Sequence, residues 1–288
     1  MKKLSLLIVL AVAFLAASCK KENVQIEEDP IEQSESQKIV SLSGAITEII
    51  ATLGEENQIV GRDVTSTYPE GLSAKDLGHV RSMTIEPIMA VSPTLILASE
   101  KDMNPELLSK IKESGIKMEL INQEYSVDGA KNLIKNVAGI IGKTDFQPLL
   151  DAIDMNIAKV QPFEKKPKVL FIYARGAGTM MVAGENTPMD ALIKIAGAEN
   201  AVTGFEDFKP LTPEALVQGN PDVILLFDSG FNSLGGIDGL MKIPGVSQTN
   251  AGKNKKVITM DGSLISNFGP RTGKAALELN HKLIDATK

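Results

Sequence analysis

Thr84–Leu97 reads TIEPIMAVSPTLIL, and Thr212–Leu225, 128 positions later, reads TPEALVQGNPDVIL. In both stretches a glutamate follows the threonine by two residues and precedes a proline by seven. The threonine and the acid are typical of a helix N-terminus, the proline of a helix end, and the apolar run after it of a buried strand. The repeat therefore predicts two similar α/β lobes.

Four apolar runs predict strands of the two lobes, at residues 38–42, 94–98, 168–173 and 222–227. Their apolar residues are continuous, which suits strands that are buried on both faces, and helical patterns alternate with them. The expected fold class is α/β, with parallel or mixed sheets covered by helices.

Residues 144–163 connect the lobes and have helical spacing, with Pro162 and Pro167 marking the end of the helix. One long helix there would form a stiff hinge. The ligand would then lie in the cleft between the lobes, a usual place for a small-molecule site. The expected lobes are residues 38–143 and 164–288.

The N-terminus has the pattern of a secretory signal. Lys2 and Lys3 precede an apolar run from Leu4 to Ala17, and Ser18 and Cys19 follow. Cys19 is the single cysteine, and its setting resembles the lipobox of bacterial lipoproteins, so residues 1–18 are expected to be removed and Cys19 acylated. The alternative is an ordinary signal peptide with an incidental cysteine. No later stretch approaches the roughly 20 apolar residues of a membrane span.

Residues 19–37 are polar and acidic after the cysteine, and they are expected to form a disordered tether. The net charge is −6, and it becomes −8 once the two lysines of the signal are removed. This excess of acid argues against nucleic acid as a partner. The chain is expected to act as a monomer.

Two classes of function are excluded by the residue types. The chain lacks a Gly-x-Ser-x-Gly motif, and neither histidine has the setting of a catalytic triad, so we expect a protein that is not an enzyme. With only His79 and His281, a site of several histidines for a free metal ion is also not expected.

Several short pieces in a fixed order resemble the periplasmic haem-binding proteins of haem-uptake ABC transporters, in the larger group that also binds cobalamin and iron-siderophores. The pieces are IVSL (39–42), TEI (47–49), TSTYP (65–69), GHVR (78–81), MVAG (181–184), KPLTPEAL (209–216), LGGIDGL (234–240) and FGPRT (268–272). The resemblance implies two Rossmann-like lobes joined by a single long helix, the class III substrate-binding fold. It also implies capture of ferric haem for an importer permease.

Ferric haem needs an axial donor, a flat apolar slot and cations for its two propionates. By the resemblance, Tyr68 is the expected axial ligand of the iron. A phenol ordinarily ionises near pH ~10, so ligation calls for the iron and a neighbouring cation, for which Arg81 is the candidate. The residues alone favour a surface tyrosine in a turn before a proline over an iron ligand, and the family resemblance reverses that preference.

The place where some relatives have a second ligand, residues 172–176, contains no histidine. We therefore expect five-coordinate haem, with Tyr173 or Met180 as weaker candidates on the distal side. His79 lies close in sequence to the predicted site, and His281 is expected on the surface. The expected propionate partners are Arg175, Lys209 and Arg271, although Lys209 could be a solvated charge and Arg271 a structural cap.

Glu86 and Glu214, the paired acids of the repeat, match the positions at which relatives meet arginines of the permease dimer; they could also simply favour their helix N-termini. Cobalamin or an iron-siderophore is the alternative ligand, and haem storage without a transporter is a third possibility. The expected location is the bacterial cell envelope, anchored by lipid and facing the periplasm, with surface exposure left open.

Overall fold

The structure is a computed structural model that describes residues 37–288. The expected signal segment, Cys19 and nearly all of the acidic tether lie outside the described residues. No helix within residues 37–288 is long and apolar enough to cross a membrane.

The N-terminal lobe is built on a parallel sheet of five strands in the order β3-β2-β1-β4-β5. The strands are β1 (Ile39–Leu42), β2 (Ile59–Arg62), β3 (Lys75–Asp76), β4 (Leu95–Ser99) and β5 (Lys117–Ile121). The helices are α1 (Gly44–Thr52), α2 (Ile85–Met89), α3 (Pro105–Ser114) and α4 (Val127–Ile140), with 3₁₀ turns at Glu56–Gln58, Val80–Ser82 and Glu100–Asp102. Every residue of β1 and β4 is buried, as their continuous apolar sequences predict.

The C-terminal lobe contains a mixed sheet in the order β11-β10-β6-β7-β9, with β8 paired to β6. The strands are β6 (Lys168–Ala174), β7 (Met180–Ala183), β8 (Glu199–Asn200), β9 (Phe208–Pro210), β10 (Val223–Phe227) and β11 (Val257–Met260). The helices are α6 (Pro188–Ile195), α7 (Pro213–Gly219), α8 (Asp228–Ser233), α9 (Gly236–Leu240), α10 (Asn250–Asn254), α11 (Gly262–Ser266) and α12 (Thr272–Thr287), with a 3₁₀ turn at Val246–Gln248. The antiparallel pairs are β6–β7 and β7–β9. The prediction of an α/β fold with parallel and mixed sheets is confirmed.

The two copies of the repeat adopt the same local structure. Helix α2 leads into β4, and helix α7 leads into β10. Before each proline the backbone turns through the left-handed region at equivalent positions, Ser92 (φ 47°) and Asn220 (φ 37°). Helix α2 ends at Met89, two positions earlier in the repeat than the end of α7 at Gly219. The N-terminal caps differ, because the Thr212 side chain accepts a hydrogen bond from the Ala215 N–H at 3.2 Å whereas the Thr84 side chain makes no capping bond.

The connection between the lobes contains α5 (Gln147–Ile157), which is shorter than the helix predicted over 144–163. The chain leaves the helical conformation before Pro162, since a residue that precedes proline disfavours it. Helix α5 packs against α12 and α4, and Ile157 contacts hydrophobic cores of both lobes. Asn280 of α12 fixes the end of the connection, because its side chain bonds both the N–H and the carbonyl of Gln161.

Candidate functional site

The strands of the N-terminal sheet run parallel, so their carboxyl ends lie at one edge, where open α/β sheets bind ligands. The loops and turns that follow four of these strands carry one notable side chain each. They are Tyr68 after β2, Arg81 after β3, Lys101 after β4 and Tyr125 after β5.

A buried carboxylate fixes the loop that leads to Tyr68. Asp63 is 1% exposed, and it accepts hydrogen bonds from the Thr65 N–H at 3.0 Å and from the hydroxyls of Thr65 and Ser66. The Thr47 hydroxyl of α1 donates to the Ser66 hydroxyl at 2.9 Å, which ties the loop to the core of the lobe. The loop therefore begins from a rigid base.

Tyr68 projects from this base and is 37% exposed, which is unusual for a large ring in the described residues. The guanidinium carbon of Arg271 lies 3.6 Å from the centre of the ring. Arg271 belongs to the segment between α11 and α12, so this contact brings the N-terminal loop against the C-terminal part of the chain. A guanidinium stacked on a tyrosine face is a favourable cation–π arrangement.

Arg271 is itself held by a buried carboxylate. Its Nε and Nη2 donate to the two oxygens of Glu48 at 2.8 and 2.9 Å, and Nη2 also donates to the Ser263 hydroxyl at 3.2 Å. The side chain of Glu48 is 1% exposed. This bidentate pair fixes the plane of the guanidinium over Tyr68. The charge of Arg271, expected to meet a propionate, is thus already paired with Glu48.

The resemblance predicts Arg81 as the cation beside Tyr68, but the cation that contacts the Tyr68 ring is Arg271. Arg81 instead donates from Nη2 to Asp102 Oδ1 at 3.0 Å, and its side chain is largely exposed. Asp102 follows β4, which is separated from β3 by two strands of the sheet, so this pair has no local sign in the sequence.

A cavity of 1240 Å³ lies between the lobes and is large enough for a tetrapyrrole. Residues after β3, β4 and β5 line it on the N-terminal side, while Met181, Phe208 and α6 line it on the other. Arg81 is among these lining residues, whereas Tyr68 and Arg271 are not. Met181 and Phe208 supply apolar surface.

Tyr125, which lies just before α4, also lines the cavity. Its ring packs edge-on against Phe268, with 5.4 Å between ring centres, and the Lys101 ammonium lies 5.3 Å from the ring centre. Burial raises the pKa of the Tyr125 phenol, and the nearby Asp102 carboxylate raises it further. Tyr125 is therefore a neutral hydrogen-bonding group at physiological pH.

The charges that line the cavity are mixed and acidic in sum. The basic residues are Arg81, Lys101 and Lys194, and the acidic ones are Asp102, Glu124, Asp190, Glu206 and Asp207. Arg81 pairs with Asp102, and Lys194 pairs with Asp190 at 2.8 Å. Lys101 takes part in none of the ion pairs found within residues 37–288, so it is the cation of this cavity that is available to a ligand.

The other expected propionate partners lie away from this cavity lining. Arg175, in the turn between β6 and β7, has its guanidinium carbon 5.6 Å from the centre of the Tyr173 ring. Lys209 of β9 has its ammonium 4.6 Å from the centre of the Phe205 ring. Both residues are exposed, and both remain predictions as ligand contacts.

The candidates for a second axial ligand are only partly exposed. Tyr173 packs against Phe227, and Met180 packs against the core on the other face of β6 and β7. Met181 stands opposite Tyr173 in the antiparallel register and, unlike Met180, lines the cavity. His79 accepts a hydrogen bond from the Arg81 N–H at 3.3 Å, and His281 is exposed on α12. Residues 37–288 contain no cluster of histidines, cysteines and acids suited to a metal ion.

The paired acids of the repeat lie on the surface of their lobes. Glu86 is in the first turn of α2, and Glu214 is in the first turn of α7. The Thr84 hydroxyl holds the pKa of Glu86 below its usual value, with a smaller effect of Lys110 in the same direction, so Glu86 is ionised at neutral pH.

Solved structures of periplasmic haem-binding proteins are similar to the chain over nearly the whole of their length. The apo form of RhuT from Roseiflexus is 37% identical with a TM-score of 0.84, covering 88% of this chain and all of RhuT. BhuT, in complex with two haems, is 31% identical with a TM-score of 0.82, covering 88% of this chain and 99% of BhuT.

Two curated relatives widen the comparison. An uncharacterised ABC transporter substrate-binding lipoprotein of Bacillus subtilis is 26% identical over 265 residues, which is 88% of this chain and 82% of the relative. A vitamin B12-binding protein of Vibrio vulnificus is 23% identical over 263 residues, covering 87% and 89% of the two chains. A model of the family described as "Periplasmic binding protein" matches residues 39–264. With most of its length matched, and with two α/β lobes around a cleft, the chain belongs to the periplasmic binding protein family.

Proposed function

We propose that this chain captures ferric haem in the cleft between its lobes and delivers it to the permease of an ABC importer, without catalysing a reaction. The observation that carries the proposal is Tyr68, an exposed phenol on a rigid loop with a fixed guanidinium against its ring. The likeness to RhuT and BhuT supports haem as the ligand. The apolar wall of Met181 and Phe208 suits the face of a porphyrin.

The test is a visible absorption titration of residues 20–288 with ferric haem. The wild-type chain is expected to give a Soret shift and a charge-transfer band of high-spin, tyrosinate-ligated iron, because Tyr68 supplies the single protein ligand. Tyr68→Phe keeps the ring against Arg271 but removes the oxygen, so that band is expected to vanish. Tyr173→Phe is the matched control and should leave the spectrum unchanged. An identical spectrum for Tyr68→Phe would refute Tyr68 as the ligand.

Cobalamin is the second candidate ligand, favoured by one observation. The cavity is lined by five acidic and three basic residues, which is a poor environment for two propionates and no obstacle to a ligand without them. The vitamin B12-binding relative supports the same reading. A cobalamin titration by calorimetry decides between the two: binding of cobalamin with no haem spectrum would replace haem as the ligand.

Delivery would use Glu86 and Glu214 as one carboxylate per lobe that meets a basic group of the permease dimer. Both acids are exposed, which supports this role. Replacing both by glutamine should leave haem affinity unchanged and abolish uptake by cells that lack the native copy. Normal uptake by the double variant would remove the docking role.

Two further proposals concern the oligomeric state of the chain and its attachment to the cell envelope. We infer that the chain acts as a monomer, held at the periplasmic side of a membrane by an acylated Cys19. Labelled palmitate should be incorporated into the wild-type chain and not into Cys19→Ala. Labelling of both, or of neither, would contradict the anchor, and light scattering of residues 20–288 would test the monomer.

A further inference from the structure

The repeat carries a second feature beside its acids, an exposed apolar side chain on each lobe. Met89 and Val217 are both 45% exposed, and they belong to a small set of large apolar residues with exposed side chains in residues 37–288. They occupy equivalent positions, because each lies three residues after the acid of its copy, Met89 after Glu86 and Val217 after Glu214.

The burial pattern of both helices is the same. Ile88 and Leu216, the residues just before the exposed apolar ones, are fully buried and hold their helices on the lobes. Residues three apart on a helix are neighbours on its surface, so each acid and its apolar companion share one outward face. Each lobe thus presents an acidic group beside an apolar side chain.

This duplication identifies the kind of partner that fits. A solitary exposed methionine or valine is ordinary, but the same acid and apolar pair at equivalent positions of two similar lobes matches a partner with two equivalent halves. Each half of the partner would offer a basic group to Glu86 or Glu214 and an apolar pocket to Met89 or Val217. A permease dimer of an ABC importer has this symmetry.

We propose that Met89 and Val217 are the apolar contacts of the docking surface, each inserted into a socket of one permease subunit beside the basic group that meets Glu86 or Glu214. This inference rests on the proposed function for its partner. It adds that docking depends on buried apolar area as well as on charge, and that part of docking affinity resists high salt.

The test compares near-isosteric substitutions that keep the helices. Met89→Gln combined with Val217→Thr removes the apolar contacts, and Met155→Gln is the matched control, because Met155 is 60% exposed on α5, outside the repeat. Docking is measured as the Kd of each full-length variant for the importer's permease and ATPase complex, purified from the source cells into nanodiscs. The double variant is expected to dock about tenfold more weakly, at unchanged haem affinity, and the control as the wild type.

Three results would overturn the inference, and they are distinguishable. If the double variant docks normally while the Glu86→Gln, Glu214→Gln variant does not, the apolar pair has no role and the acids act alone. If neither double variant changes docking, the proposed docking acids fail as well. If the apolar double variant instead converts a self-associated wild type into monomers, the occupant of this surface is a second copy of the chain.

Discussion

Tyr125 lines the cavity and is half-buried, with its ring edge-on against Phe268. A tyrosine just before a helix gives no local sign of a cavity, because its exposure depends on how the ends of β4 and β5 meet the opposite lobe. Tyr68 was singled out through the family resemblance of its loop, and its role as an axial ligand stays a prediction. Arg271 was also singled out, but its pairing with Glu48, 223 residues away in sequence, was invisible without the fold.

The raised pKa of Tyr125 predicts how stability depends on alkaline pH. The folded chain keeps the phenol protonated above the ordinary value of 10.0, while the unfolded chain releases the proton, so the free energy of unfolding falls as pH rises through this range. Tyr125→Phe should flatten the loss of stability between about pH 9.5 and 11 in urea titrations. An unchanged pH profile would contradict the burial of this phenol.

Lys101 is expected to anchor a carboxylate of the ligand, since its ammonium is available in the cavity while that of Lys194 is paired with Asp190. Lys101→Met should weaken haem binding about five- to tenfold, and Lys194→Met should change it less. Haem dimethyl ester, which lacks the charged propionates, is the second arm of the measurement. If Lys101→Met weakens binding of the ester equally, the lysine does not recognise a carboxylate.

Among the helices and strands, those whose own residues carry a strong local pattern could be predicted from the sequence. The repeat predicted α2 followed by β4 and α7 followed by β10, because a capped helix, a proline and an apolar run are all adjacent in sequence. The linking helix is shorter than predicted, since apolar spacing continues past Ile157 into residues that pack without being helical. The order of the strands depends on contacts between distant segments and had no local signal.

Helices α5 and α12 cross closely at Gly273, and this crossing predicts opposite effects for two similar substitutions. A Cβ at Gly273 would lie 2.6 Å from the Ile153 carbonyl oxygen, so Gly273→Ala should destabilise the chain by about 1–3 kcal/mol. Gly139 of α4 has open space around it, so Gly139→Ala should stabilise the chain by up to about 1 kcal/mol. Urea denaturation measures both, and equal effects would contradict the close crossing.

At the scale of the whole molecule, the pair of Glu48 and Arg271 links the N-terminal lobe to the segment before α12. Glu48→Gln would leave the half-buried guanidinium without its counter-charge, so it should lower the free energy of unfolding by about 3 kcal/mol. Glu106→Gln, which removes one half of an exposed pair with Lys110, should change the free energy of unfolding far less, because solvent screens that pair. A cost for Glu48→Gln as small as that of the control would show that the pair contributes little.

Helix α12 follows the C-terminal sheet in sequence, yet it packs on α4 and α5 as well as on the C-terminal core. The first lobe therefore cannot complete its packing until α12, which follows the whole second sheet in sequence, is in place. The contact that ties the two lobes together in the native state therefore also delays the completion of folding of the first lobe.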